Sequence, residues 1–285
     1  MTFAAERCYE LLDKMAAAFK KAQRRPGPAA IHDVRVSIRR LRQCLNIFEA
    51  QFPGQSVEKI NNRIHKVLKA AGKLRNFDIA MELLKQSKQT DRILVRALRE
   101  DRKEGAKAIQ DRLAKLSEKN SVEKWRARLL PVGDSEHGGD GEDAAKEAGT
   151  LLPRMAREFF EAGDRAVHPD CPPAAMHKFR IRSKKFRYTL ELFAPLYGDE
   201  LDKRMDALRQ AQTRLGDIND CVATAELVKD YRRDSDDASD SAIATLEREA
   251  AKKTAAFRRW WAKSFNAKQK DNWVRYLAQE SLKIK

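Results

Sequence analysis

The chain has 285 residues, room for one large or two ordinary domains, and its 42% hydrophobic content supplies a sizeable core. Lys and Arg total 58 against 42 Asp and Glu, giving a formal net charge of +16 and a pI near 9.7; such a balance points to a polyanionic partner and leaves nucleic acid, acidic lipid and phosphate polymers open. No apolar run reaches membrane-spanning length, the stretch MTFAAERCYELLDKM carries Glu6, Glu10 and Asp13 where a signal peptide is apolar, and Cys8, Cys44, Cys171 and Cys221 show no C-x-x-C spacing, so the expectation is a soluble, cytoplasmic protein with reduced thiols.

Apolar residues recur at helical spacing along most of the chain, and alternating runs bounded by tight-turn dipeptides are scarce, which predicts an all-α fold. Helices are expected over 3–22, 31–51, 55–86, 90–128, 143–166, 174–196, 199–231 and 239–266, with a short one at the C-terminus. QRRPGPAA, FPGQS, VHPDCPP and YGDE punctuate them, because Pro and Gly end or interrupt helices. PVGDSEHGGDGED, at 131–143, is rich in Gly and acid and reads as a flexible linker between units at 1–130 and 144–285; RRDSDDASDS, at 232–241, reads as an exposed loop.

The second helix carries the sharpest pattern, HDVRVSIRRLRQCLNIF. At about 100° per residue it separates into an apolar stripe of Val34, Ile38, Leu41, Leu45 and Phe48 and a basic one of His32, Arg35, Arg39 and Arg42. The pattern returns at an offset of 145, with Phe179, Phe186, Leu190 and Phe193 on the apolar face and His177, Arg180, Lys184 and Arg187 on the basic one; Arg40 is answered by Lys185. Upstream, LLDKMAAAF at 11–19 returns as LLPRMAREF at 151–159, and downstream LRNFD ending at Asp78 is answered by LGDIND ending at Asp220. Three matches in one order imply a duplicated chain of two related helical bundles.

A solvated helix face ordinarily mixes signs, since like charges at i, i+4 oppose the helix by a few tenths of a kcal/mol. Arg35 with Arg39 and Arg180 with Lys184 are like pairs, and no acid falls between Lys178 and Arg187. A stripe of ten residues is about 15 Å long, the length of a track along several phosphates rather than a socket for one ion. Arg63, Lys66, Lys69 and Lys73 recur every three or four residues on the following helix, with Lys203, Arg204, Arg209 and Arg214 as looser counterparts in the second copy. His32 and His177 stand where a capping or packing histidine would, and equally where one donating to phosphate would. Asp78 and Asp220 suit the orienting of arginines or the capping of helices better than proton transfer.

Catalytic patterns are thin. His32-Asp33 is similar to the signature of metal-dependent HD phosphohydrolases, but adjacent residues on a helix point about 100° apart and the second copy has Lys178 in place of the carboxylate. His65, His137 and His168 form no H-E-x-x-H spacing, and there is neither a G-x-x-x-x-G-K-[ST] loop nor a G-x-S-x-G turn. A duplicated basic track with no acid/base pair reads as binding, with no metal or cofactor called for. FRRWWAKSF, with Trp260 and Trp261, reads as a packing seam with snorkelling cations, near Trp273 and Tyr276.

The twin H-x-x-R-x-x-x-[RK]-[RK]-x-R helices, with the trailing LRNFD and LGDIND segments, resemble the CHAD family, the conserved histidine α-helical domain, from the first helix to about Phe265. The resemblance implies two four-helix bundles related by pseudo-twofold symmetry, a basic channel or groove at their junction, binding of inorganic polyphosphate there, and association with polyphosphate granules. It places His32, Arg35, Arg39, Arg40 and Arg42 in one half of the site and His177, Arg180, Lys184, Lys185 and Arg187 in the other, with Tyr188 following in the R-Y pattern of second repeats, where the first copy has Gln43. The E-x-E-x-K mark of the triphosphate tunnel domain fused to some members does not occur. The chemistry suits that ligand, because a phosphate polymer offers no bases to stack and needs dense Arg and Lys rather than aromatics. Nucleic acid is the alternative partner, a polyphosphate-processing enzyme the more distant one.

Overall fold

A computed structural model describes residues 2–86, 92–130, 140–231 and 237–279, and among them the chain forms helices and no strand. In order these are α1 (Phe3–Arg24), α2 (Pro28–Ile47), α3 (Gly54–Gln86), α4 (Arg92–Glu118) and the short α5 (Ser121–Arg128), then α6 (Asp140–Val167), α7 (Pro173–Phe193), α8 (Glu200–Tyr231), α9 (Asp237–Ser264) and the short α10 (Ala267–Gln279). The all-α expectation holds. A 3-10 turn follows both α2 (Glu49–Gln51) and α7 (Ala194–Leu196), so the second five helices repeat the order of the first five.

Three segments depart from the sequence reading. The helix expected over 90–128 is broken at Asn120, whose φ of 45° and ψ of 46° lie in the left-handed region that asparagine tolerates better than most residues. α6 begins at Asp140, so the last four residues of the Gly-rich stretch are helical, while 131–139 lie outside the described residues. α9 begins at Asp237 and buries Ser239, so the C-terminal half of RRDSDDASDS is helix rather than loop; 232–236 lie outside the described residues.

The chain forms two compact units, one of Met1–Asp134 with Asp220–Glu247, the other of Ser135–Asn219 with Arg248–Lys285. In the first, α2 packs on α1 and α3, and α4 on α1, α3 and α5, closing a ring of four helices with α2 and α4 at opposite corners. Cys8 and Cys44 join α1 to α2 in its core, where the hydrogen bond that the Cys44 thiol donates to the Cys8 sulfur, together with burial, pushes the Cys44 thiol well above its ordinary range and keeps it neutral. Phe77, Ala80, Leu84, Leu94, Val95 and Leu98 pack with Val228, Ala242 and Ile243 in a second cluster of the same unit.

The second unit has an aromatic core. Trp261 stacks on Phe265 with centroids 4.5 Å apart, meets Phe179 edge-on at 5.1 Å, and donates its indole N–H to Asp164 at 2.8 Å. A Cβ on Gly163 would lie 2.0 Å from this indole, so only glycine fits there. Phe257, Trp261 and Phe265, spaced by four, are all buried, and FRRWWAKSF is a packing seam.

Burial fixes the register of the duplication. Buried Val57, Ile64, Val67, Ala71, Leu74, Phe77, Ala80 and Leu84 of α3 recur in α8 at an offset of 144, as Leu201, Leu208, Ala211, Leu215, Ile218, Cys221, Thr224 and Val228. Asp220 therefore answers Asn76, and Asp78 answers the exposed Val222, which corrects the pairing of Asp78 with Asp220. The short helices match as well: Trp125 and Leu129 answer Trp273 and Leu277, all buried, and the two leucine carbonyls accept the hydroxyls of Tyr9 at 3.3 Å and Tyr197 at 2.9 Å.

Candidate polyanion-binding faces

Both basic helices start in the same way. Pro28 and Pro173 take the first positions of α2 and α7, where a missing N–H costs nothing, and neither helix has an acid in its first turn to offset the positive end of its dipole. Val34, Ile38, Leu41, Leu45 and Phe48 of α2 are buried, as are Phe179, Phe186, Leu190 and Phe193 of α7. That inward anchoring turns the basic stripes away from the core: His32 and His177 are exposed, and Arg35, Arg39, Arg40, Arg42, Arg180, Lys184 and Arg187 are half-buried, their stems lying along the helix surface. Lys185 is exposed.

In the first unit Arg42 Nη1 approaches His65 Nδ1 on α3 at 3.5 Å; a guanidinium only donates, so this ring nitrogen acts as acceptor. Arg39 makes no ion pair among the described residues, nor do Arg63, Lys66 and Lys69, all exposed on α3, while the Lys73 ammonium sits 5.7 Å from the Phe77 ring. The carboxylate nearest in sequence, Asp78, is committed elsewhere: Arg102 Nε on α4 donates to it at 3.0 Å and Arg102 Nη2 to the Pro26 carbonyl at 2.7 Å.

In the second unit several cations are held by close partners. His177 Nδ1 lies 2.9 Å from Asn219 Oδ1 on α8, and Arg187 pairs with Glu191 at 3.1 Å, one turn further along α7. Gln212 of α8 donates to the Ser183 carbonyl at 2.8 Å, tying α8 to the middle of the basic helix. Arg209 is paired with Asp206, and Arg214 lies over the Trp260 ring at 4.9 Å. Arg204 stacks 3.8 Å from the Tyr276 ring centre and donates to Asn272, and Lys203 pairs with Glu200, so these two are structural ties of α8. Tyr188 is 5% exposed and its ring supports the Arg187 guanidinium at 5.1 Å; Gln43, its counterpart, is also buried. The Nε of Arg42 and of Arg187, equivalent atoms in the two copies, is buried without an acceptor among the described residues, an unsatisfied donor kept twice.

His65 and Asn219 are the two partners that the sequence reading missed as parts of these faces; each is reached only through the packing of the next helix. Among the described residues no group of three or more His, Cys, Asp or Glu is placed to share a metal ion, and no helix is long and apolar enough to cross a membrane.

An all-helical chain whose basic helix, 3-10 turn and following long helix occur twice defines a duplicated, cation-rich helical domain. The CHAD domain model matches residues 7–229, and the chain belongs to that family. Among solved structures it is similar to the crystal structure of the CHAD domain from the plant Ricinus communis, at 19% identity and a TM-score of 0.59, over 96% of this chain and 91% of the other. It is also similar to PptA from Streptomyces chartreusis, at 15% identity and a TM-score of 0.60, over 91% of this chain and 98% of the other. At these identities the likeness is one of fold. No curated protein sequence matches the chain.

Proposed function

We propose that this chain binds inorganic polyphosphate through the basic faces of α2 and α7, without turning it over. The observation that carries the reading is the recurrence of Arg35, Arg39 and Arg42 as Arg180, Lys184 and Arg187, outside apolar stripes whose own identities have drifted from Val34 and Leu41 to Phe179 and Phe186. Keeping like charges one turn apart on both helices opposes helix formation, and a dense anion offsets that repulsion. Membership of a family associated with polyphosphate supports the choice of anion, as does the lack of aromatic side chains on either stripe, since bases are held by stacking and a bare phosphate chain is not. Asp78, tied to Arg102, is no free base, which favours binding over hydrolysis. Such a protein would collect at polyphosphate granules in the cytoplasm.

The test is a charge reversal on each face, Arg39→Glu with Lys184→Glu. Affinity for long-chain polyphosphate is expected to fall by about a hundredfold or more, because each lost phosphate contact also forfeits counterion release, while the circular dichroism spectrum stays helical. Unchanged affinity would place the ligand elsewhere, and phosphate released from the polymer in the presence of a divalent cation would make the protein an enzyme.

A further inference from the structure

α4 carries a second basic stripe, apart from the α2 face. Arg92, Arg96, Arg99, Lys103 and Lys107 recur every three or four residues and are all exposed. At 100° per residue they fall within about 80° of the helix circumference, and every residue from 92 to 107 in that arc is Arg or Lys. Arg96 pairs with Glu100 at the edge of the stripe, 3.0 Å away; the other four make no ion pair among the described residues. The remaining carboxylates of this stretch turn elsewhere. Asp101 accepts the Tyr231 hydroxyl, and Glu104 lies about 100° from the midline of the stripe. From 92 to 107 the stripe is about 22 Å long.

The fold does not require these cations, as α9 demonstrates. At an offset of 148 the buried residues coincide: Leu94, Val95, Leu98, Ile109 and Leu113 answer Ala242, Ile243, Leu246, Phe257 and Trp261. At the five stripe positions α9 has Asp240, Ala244, Glu247, Ala251 and Ala255, equally exposed and without one cation. The basic stripe is therefore a feature of α4 and not of its counterpart α9, held although Arg92 with Arg96, Arg99 with Lys103, and Lys103 with Lys107 repel along the helix. α2 and α4 occupy opposite corners of their ring, so the stripe does not continue the α2 face. It holds no aromatic side chain on which a base could stack, only an extended row of phosphate-binding cations.

We propose that the outer face of α4 is a second polyanion-docking surface, and that its occupant is the part of a long inorganic polyphosphate chain that runs beyond the α2 face of the same unit. The proposal rests on the polyphosphate reading of the α2 and α7 faces. A chain too short to reach from α2 to α4 is held without the α4 stripe. A long one makes its second contact within the same complex, at the high effective concentration that tethering provides. The α4 stripe is thus a chain-length sensor that favours long polymers.

The full chain carries its own control. Arg92→Asp, Arg96→Ala, Arg99→Glu, Lys103→Ala and Lys107→Ala together install on α4 the residues that α9 bears at the same positions. Affinity for long-chain polyphosphate should fall by about tenfold or more, with a shallower salt dependence, while affinity for a short chain is unchanged. Undiminished long-chain affinity overturns the proposal and leaves the polyphosphate reading intact. A wild-type protein that binds neither length overturns that reading, and the proposal with it. A loss confined to duplex DNA overturns polyphosphate as the occupant. Should the five-fold variant lose its helical spectrum, Arg99→Ala with Lys103→Ala carries the same outcomes.

Discussion

Arg42 of α2 and Arg187 of α7 hold the same register, with the same buried, unsatisfied Nε, yet one lies against His65 and the other against Glu191. The contrast extends to their neighbours. α3 presents Arg63, Lys66 and Lys69 with no ion pair among the described residues, whereas Arg209 and Arg214 of α8 are taken up by Asp206 and Trp260. A duplicated chain thus keeps its buried positions and its stripe of cations while the groups around them drift, and among the described residues α3 keeps more cations outside an ion pair than α8. Partial neutralisation weakens a face for an anion and steadies the helix that bears it.

The cores differ in the same way. The first unit contains the Asp78–Arg102 pair, with side chains 6% and 17% exposed; the equivalent positions, Val222 and Ala250, carry no charge. Removing the cation alone, Arg102→Ala, leaves a buried carboxylate uncompensated and should cost about 3–5 kcal/mol in urea unfolding. Adding Asp78→Val, so that both positions take the residues of the second copy, should restore most of that loss, because apolar replacements of a buried pair are often neutral. A double variant as unstable as Arg102→Ala would mean that the pair specifies the first unit in a way the second does not need. The comparison sharpens at Glu191. Glu191→Gln frees Arg187 and should tighten polyphosphate binding by about twofold to fivefold and steepen its salt dependence by about one phosphate contact; no change would show that Arg187 already reaches the ligand.

Much of this was legible in the sequence, for identifiable reasons. Apolar residues at helical spacing marked the helices, and the burial of Val34 to Phe48 and of Phe179 to Phe193 follows that arithmetic. The break at Asn120 was not legible, because SEKNSVEK contains neither Pro nor Gly and asparagine enters the left-handed region silently. Nor was the helical start of α6, since acid and glycine next to a helix look like linker, yet exposed Gly141, Glu142 and Asp143 continue the helix up to buried Ala144. Motif matching tied Asp78 to Asp220; buried faces moved the register by two residues, because packing rather than identity defines equivalence along a helix. At the basic faces, the neutralising acids Asp206 and Glu191 lay three or four residues from their arginines and could have been read as i, i+3 and i, i+4 partners. His65, Asn219 and Trp260 come from other helices, and only the fold brings them in.

The central claim is that the two basic faces select a bare phosphate polymer over one that carries bases. Equilibrium competition tests it most directly: labelled polyphosphate bound to the full chain, challenged with duplex DNA at equal total phosphate and with unlabelled polyphosphate. Displacement by unlabelled polyphosphate alone is the predicted result; displacement by DNA to the same extent would contradict it and make this a general nucleic-acid-binding protein.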